Sequence, residues 1–131
     1  MSRFICNNHT KYNIGYHIIF CPKYRRKVLT NGIDERLKSL LNEKADELEI
    51  TIEEMEVMPD HVHLFVRSKP TISPHEIVKG LKGYSSSVLR KEYPELKKRL
   101  PSLWTRGYYV ESVGHISSAT IAQYISEQKR R

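Results

Sequence analysis

The 131 residues predict an α+β domain, and three features of the sequence lead there. Segments that alternate apolar and polar residues, the two-residue period of a half-buried strand, are interspersed with segments of helical period. Their order is strand, helix, strand, strand, helix, strand. That is the order of a split βαβ, ferredoxin-like (RRM-like) antiparallel sheet with its helices on one face, and a further C-terminal helix follows. A hydrophobic content of 39% in a chain this short suits one modest core, so a single domain is expected over residues 1–131.

Tyr12 to Phe20 is rich in β-branched and aromatic residues and reads as the first strand, closed by Cys21-Pro22 because proline cannot donate to a ladder. Asn31-Gly32 is a turn. Ile33, Leu37, Leu40, Leu41, Ala45 and Leu48 then recur at helical spacing, with Asp34 and Glu35 near the positive end of the helix dipole. Ile50 to Met58 is a second strand whose apolar phase shifts between Ile52 and Met55, which fits either a bulge or a less regular edge. Pro59-Asp60 joins it as a hairpin to the alternating run His61–Arg67.

Ser73-Pro-His-Glu76 opens the next helix as a capping box with proline in the first turn. Its predicted buried stripe is Ile77, Leu81, Tyr84 and Val88, and Gly80 and Gly83 suggest the close approach of another backbone. Pro94 to Ser102 reads as a basic connection, and Trp104 to Val113 as a strand broken by Gly107. A last helix capped by Ser117 or Ser118 carries Tyr124 and Gln128 one turn apart.

Within His61–Arg67, Val62, Leu64 and Val66 point one way and His61, His63, Phe65 and Arg67 the other. Two imidazoles at i and i+2 sit side by side on the face away from the core and suit a shared divalent ion, given a third ligand; two exposed strand histidines with no role are the bland alternative.

Charge is unevenly spread. The chain carries +7 overall, yet Ile33 to Glu56 holds nine acids against Arg36, Lys38 and Lys44, so that segment is −6 and the remainder +13. A basic remainder of this size suits a polyanion, most simply nucleic acid. In Lys23-Tyr-Arg-Arg-Lys27 cations surround an aromatic, a composition fit for phosphate contact and base stacking and equally for a solvated loop. The expected phosphate contacts are Lys23, Arg25 and Arg26 there, with Lys79, Lys82, Arg90 and Arg106 further on. No apolar run is long enough to span a bilayer, and Met1 to His9 lacks the extended apolar region of a signal peptide, so no leader is expected. Cys6 and Cys21 lack metal spacing, so a cytoplasmic protein with reduced thiols is expected.

Met58-Pro-Asp-His-Val-His-Leu-Phe-Val resembles the HUH nuclease motif. Tyr16 to Val28, Lys79-Gly-Leu-Lys, Leu103 to Gly114 and Tyr124-Ile-Ser-Glu-Gln128 resemble further blocks, in order, of the single-tyrosine HUH transposases of IS-two-hundred-type insertion sequences. The resemblance implies a DNA transposase that cuts and rejoins single-stranded DNA at hairpin-bearing element ends through a 5′-phosphotyrosine. Carried over, Tyr124 is the nucleophile, and His61, His63 and Gln128 hold a magnesium or manganese ion, with Asp60 as an alternative ligand. It also implies a homodimer with shared active sites, the joint Val113-Gly114-His115 letting the tyrosine helix reach the partner. A domesticated relative acting on repetitive palindromic elements, and a non-catalytic nucleic-acid-binding module that stacks bases on Phe65, are the other readings of the same residues.

Overall fold

The structure, a computed structural model, describes residues 5–6 and 11–113. A short strand pair, β1 (Ile5–Cys6) and β2 (Lys11–Tyr12), precedes the main sheet. That sheet contains β3 (Ile14–Phe20), β4 (Thr51–Met58), β5 (His61–Ser68) and β6 (Tyr109–Ser112). Their spatial order is β4-β5-β3-β6, every neighbour antiparallel, with α1 (Ile33–Leu48) and α2 (Pro74–Glu92) in the two crossovers. This is the expected split βαβ arrangement of an α+β fold.

The core lies on one face of the sheet. Ile18 and Phe20 of β3 and Val62, Leu64 and Val66 of β5 are buried there with Leu37, Leu40 and Leu41 of α1 and Ile77, Leu81 and Leu89 of α2. Helix α1 starts after Asn31 and Gly32, whose φ of 54° and 94° turn the chain through the left-handed region that glycine adopts without strain. At the start of α2 the capping box forms as expected: Ser73 Oγ accepts from the Glu76 amide at 3.1 Å and Glu76 Oε1 from the Ser73 amide at 3.3 Å, a cap worth about 1 kcal/mol. The β4–β5 register slips between Ile52 and Glu54, where the apolar phase of the sequence shifts.

Several expectations are corrected. Helix α2 buries Ile77, Val78, Leu81, Ser85 and Leu89, while Tyr84 and Val88 are only half-buried. Ser85 is tolerated inside because its hydroxyl donates to the Leu81 carbonyl at 2.7 Å and accepts the Trp104 indole N–H at 3.1 Å. Trp104 in turn packs edge-on against Phe20, their ring centroids 4.7 Å apart. Gly80 does permit a close approach, but of the Leu48 side chain, which a Cβ would meet at 3.1 Å; a Cβ on Gly83 would meet nothing within 4 Å.

Residues 94–102 are not a plain connection, for Pro94–Arg99 form a short helix, α3, that buries Leu96. Only Tyr109–Ser112 of the last predicted strand joins the sheet, and Trp104 makes an isolated bridge to Pro22. The carbonyls of residues 105–107 are taken by the Lys82 ammonium instead of a strand, at 2.6, 3.4 and 3.1 Å. The predicted C-terminal helix and the joint at residues 113–115 lie outside the described residues, apart from Val113.

Candidate functional site

Antiparallel partners project to the same side, so the register defines the second face of the sheet. His61, His63, Phe65 and Arg67 of β5 share it with Gly15, His17 and Ile19 of β3, Glu54, Glu56 and Met58 of β4, and Tyr109 and Glu111 of β6. None of α1, α2 or α3 contributes to this face's register rows, and Met58 and Tyr109 stand exposed on it. Gly15 leaves room for Phe65 here: a Cβ would meet the ring at 3.1 Å, and the ring would have to give way by a few tenths of an ångström.

The two histidines of the motif are side by side as predicted, and each has its own partner. His61 Nδ1 is 2.9 Å from Asp60 Oδ1, and Asp60 Oδ2 is 3.3 Å from Arg25 Nε. The bond to His61, with Arg25 nearby, holds the Asp60 carboxyl below the usual carboxylate range. His63 Nε2 is 3.2 Å from His17 Nδ1, and the His17 ring also lies 5.0 Å, centroid to centroid, from Phe65. Glu56 stands directly opposite His63 in the ladder, and a cleft of about 180 Å³ is lined by Glu54, Met55, Glu56, His63 and Phe65. The acidic segment is therefore divided: its helix lies on the core side, while two of its carboxylates border the histidines.

As a cation site the arrangement fits in part. Two imidazoles face one side, and the Asp60 bond to Nδ1 leaves His61 Nε2 as its open donor. Among the described residues no three His, Cys, Asp or Glu side chains converge on one point. Gln128, the expected third ligand, and Tyr124, the expected nucleophile, lie outside the described residues. Asp60, the alternative ligand, has both oxygens engaged by His61 and Arg25.

The predicted phosphate contacts fall into two groups and an outlier. Lys23, Arg25 and Arg26 lie in a single 3₁₀ turn and its cap, where Tyr24 and Arg25 hold φ of 57° and 54° and the Tyr24 ring is exposed. Lys79, Lys82 and Arg106 line one cleft of about 390 Å³ between α2 and the segment 102–108, with His75 bonded to the Tyr108 hydroxyl at its edge. Lys82 is committed to the three carbonyls above, and burial pushes its ammonium below its ordinary pKa. Arg90 is the outlier, its guanidinium donating to the Leu100 carbonyl at 3.0 Å. Both side chains are thus held by backbone within the fold, whereas Arg26, Lys79 and Arg106 are exposed.

His17 and Glu56 were missed by the sequence reading. His17 had a usable signal: it is a polar residue in the outward phase of an otherwise apolar strand. Glu56 comes to the site only through the β4–β5 register, which sets it opposite His63 and which the sequence does not fix across the bulge at Glu53.

Comparison with known proteins identifies the family and agrees with the fold. The family described as "Transposase IS200 like" matches residues 10–128. The ISDra2 transposase TnpA of Deinococcus radiodurans is 38% identical over 119 residues, covering 89% of this chain and 85% of that protein. The transposase for insertion sequence element IS200 of Salmonella typhimurium is 36% identical over 122 residues, covering 92% and 80%. A crystal structure of a Deinococcus radiodurans protein described as a transposase superposes with a TM-score of 0.78 at 34% identity, covering 95% of this chain and 97% of its own. The REP-associated tyrosine transposase, solved bound to a REP hairpin, shares the fold at a TM-score of 0.60 and 10% identity, covering 92% and 68%. With the strand order that the sequence predicts and a family match over nearly its whole length, this chain belongs to the IS200-like transposases.

Proposed function

We propose that this transposase cuts and rejoins single-stranded DNA at hairpin-bearing element ends, using Tyr124 as nucleophile and a divalent ion held by His61, His63 and Gln128. The observation that carries the reading is the pair of half-buried imidazoles on the second face of β5, each held by a partner, Asp60 or His17. A non-catalytic module would need Phe65 and the basic surface but no such pair. A tyrosine transposase of the same fold solved bound to a REP hairpin supports a hairpin-bearing substrate.

The chemistry balances without a cofactor that is consumed. The Tyr124 phenol gives up its proton as its oxygen attacks a backbone phosphorus; the bond to the 3′ oxygen breaks, and that oxygen takes up a proton and leaves as a 3′-hydroxyl while the 5′ phosphate stays on tyrosine. The phosphodiester bond is conserved as a phosphotyrosine, so a later 3′-hydroxyl reverses the step without ATP. A magnesium or manganese ion, when bound, polarises the scissile phosphate. Arg26, Lys79 and Arg106 contribute positive potential that draws the strand in and neutralises its phosphates.

The test is cleavage of an end-labelled, hairpin-bearing single strand. Cleavage should require magnesium or manganese, stop with chelator and vanish in His61→Ala and His63→Ala. Equal cleavage in chelator would remove the ion from the account.

The working unit in this reading is a homodimer with shared sites, acting in the cytoplasm where Cys6 and Cys21 stay reduced. β4 and β6 are the edges of the described sheet and offer unpaired backbone for a partner. His61→Ala/His63→Ala chains co-refolded with Tyr124→Phe chains should regain cleavage, because one site of each heterodimer then joins intact histidines to an intact tyrosine. Confirmed heterodimers that stay inactive would place both parts on one chain.

A further inference from the structure

We propose that Asp60 is a positioning residue of this site: it selects the tautomer of His61 that presents Nε2 to the ion, and Arg25 holds Asp60 in place. The inference rests on the reading of His61 as a metal ligand and goes beyond it to a residue that does not touch the ion. Asp60 is the second residue of the two-residue turn between β4 and β5, so its side chain sits beside the first residue of β5. Its Oδ1 lies 2.9 Å from His61 Nδ1.

An ionised carboxylate only accepts hydrogen bonds, so Nδ1 must carry the proton. In a neutral imidazole the lone pair is then on Nε2, on the opposite side of the ring from Asp60. The other tautomer would set the Nδ1 lone pair against a carboxylate oxygen. Metal-binding histidines are commonly oriented by a carboxylate in this way, and losing the partner costs roughly 10–100-fold in metal affinity.

The second oxygen explains why Asp60 stays put and does not ligate. Oδ2 lies 3.3 Å from Arg25 Nε, an arginine of the basic turn whose backbone is left-handed at both Tyr24 and Arg25. With one oxygen on His61 and the other on Arg25, the carboxylate is fixed between two elements, and the basic turn is tied to the histidine it flanks.

The experiment uses the full chain and two independent readouts. Nitrogen-15 NMR of the His61 ring is recorded without metal at about pH 8. Manganese affinity is measured separately from the EPR signal of the free ion. Wild type should show the proton on Nδ1. Asp60→Ala should move it wholly or partly to Nε2 and weaken manganese binding by roughly 10–100-fold. Asp60→Asn keeps an oxygen acceptor for Nδ1–H, so it should retain the tautomer and bind manganese within a few-fold of wild type. Arg25→Gln should fall between Asn and Ala.

A proton on Nε2 in wild type, or a tautomer unmoved by Asp60→Ala, would overturn the proposal. So would an Asn variant as weak as Ala with the tautomer intact, which is the signature of a direct ligand. Wild type that binds no manganese yet shows the Asp60-dependent tautomer would instead defeat the metal reading and leave the orienting contact standing.

Discussion

Along β5, Val62, Leu64 and Val66 are fully buried against α1 and α2, while His61, His63 and Phe65, their immediate neighbours in sequence, are half-exposed on the other side of the sheet. The first face is built from apolar side chains of β3 and β5 packed with those of α1 and α2, with no ionisable group among the described buried residues. The second carries imidazoles, carboxylates and a guanidinium, paired with one another through hydrogen bonds. The two-residue period of a strand therefore puts stability and chemistry on alternate residues. A substitution at one position should leave the other property nearly untouched, and each prediction that follows can break that separation.

The largest effect is expected on the second face. His61→Ala and His63→Ala should lose metal-dependent cleavage entirely while their melting temperatures stay close to wild type, since neither ring belongs to the core. A variant that unfolds would return the histidines to a structural role.

Next comes the covered face. Leu64→Ala, one residue from His63, should cost about 2–5 kcal/mol by lost burial and a residual cavity, a large share of the roughly 5–15 kcal/mol that holds a domain together. Urea denaturation measures it. Any protein that remains folded should still bind manganese like wild type, and a selective loss of metal in a fully folded Leu64→Ala would show that the faces are coupled.

A smaller and graded effect is the salt response. With Lys82 and Arg90 occupied by carbonyls and Arg25 paired with Asp60, four of the seven cations remain in the account, Lys23, Arg26, Lys79 and Arg106. Log affinity for single strands should then fall against log salt with a slope of about −3, at roughly −0.7 per phosphate contact. Lys82→Met should disturb the 105–107 segment more than the slope. A flat response would sink the basic-surface argument.

The smallest effect concerns a pair remote from the site. Arg36 grips Glu92 through two bonds of 2.8 and 2.9 Å between α1 and α2 and holds its carboxyl below the usual range. Because the folded pKa is lowered, the pair's contribution is complete above the ordinary glutamate pKa and is lost as pH falls through the lowered folded value. Glu92→Gln should flatten that part of the acid limb of the stability profile. An unchanged acid limb would mean the exposed pair adds nothing measurable.

Much of this was legible in the chain because periods and caps are local. The alternation of His61–Arg67 gave β5 and its two faces, Ser73 and Glu76 gave the start of α2, and Asn31-Gly32 the start of α1. What sequence could not show was set by distant partners. Ser85 is buried because Trp104 donates to it, and residues 105–107 leave the ladder because Lys82 takes their carbonyls. His17 enters the site only through a register that places it diagonally from His63, and Asp60 changes from ligand to support only once Arg25 is seen beside it. Charge alone does not tell a phosphate contact from a cation spent inside the fold, as Lys82 and Arg90 are on backbone carbonyls.

The most direct measurement of the central claim is the intact mass of the protein after incubation with a hairpin-bearing single strand and magnesium. The account predicts a species heavier by one strand of the cleaved DNA, carried on Tyr124. It should be absent in Tyr124→Phe, which still binds the strand, and absent in His61→Ala/His63→Ala. An adduct that persists in Tyr124→Phe would place the nucleophile on another residue, and cleavage by wild type with no adduct at any time would contradict the phosphotyrosine route itself.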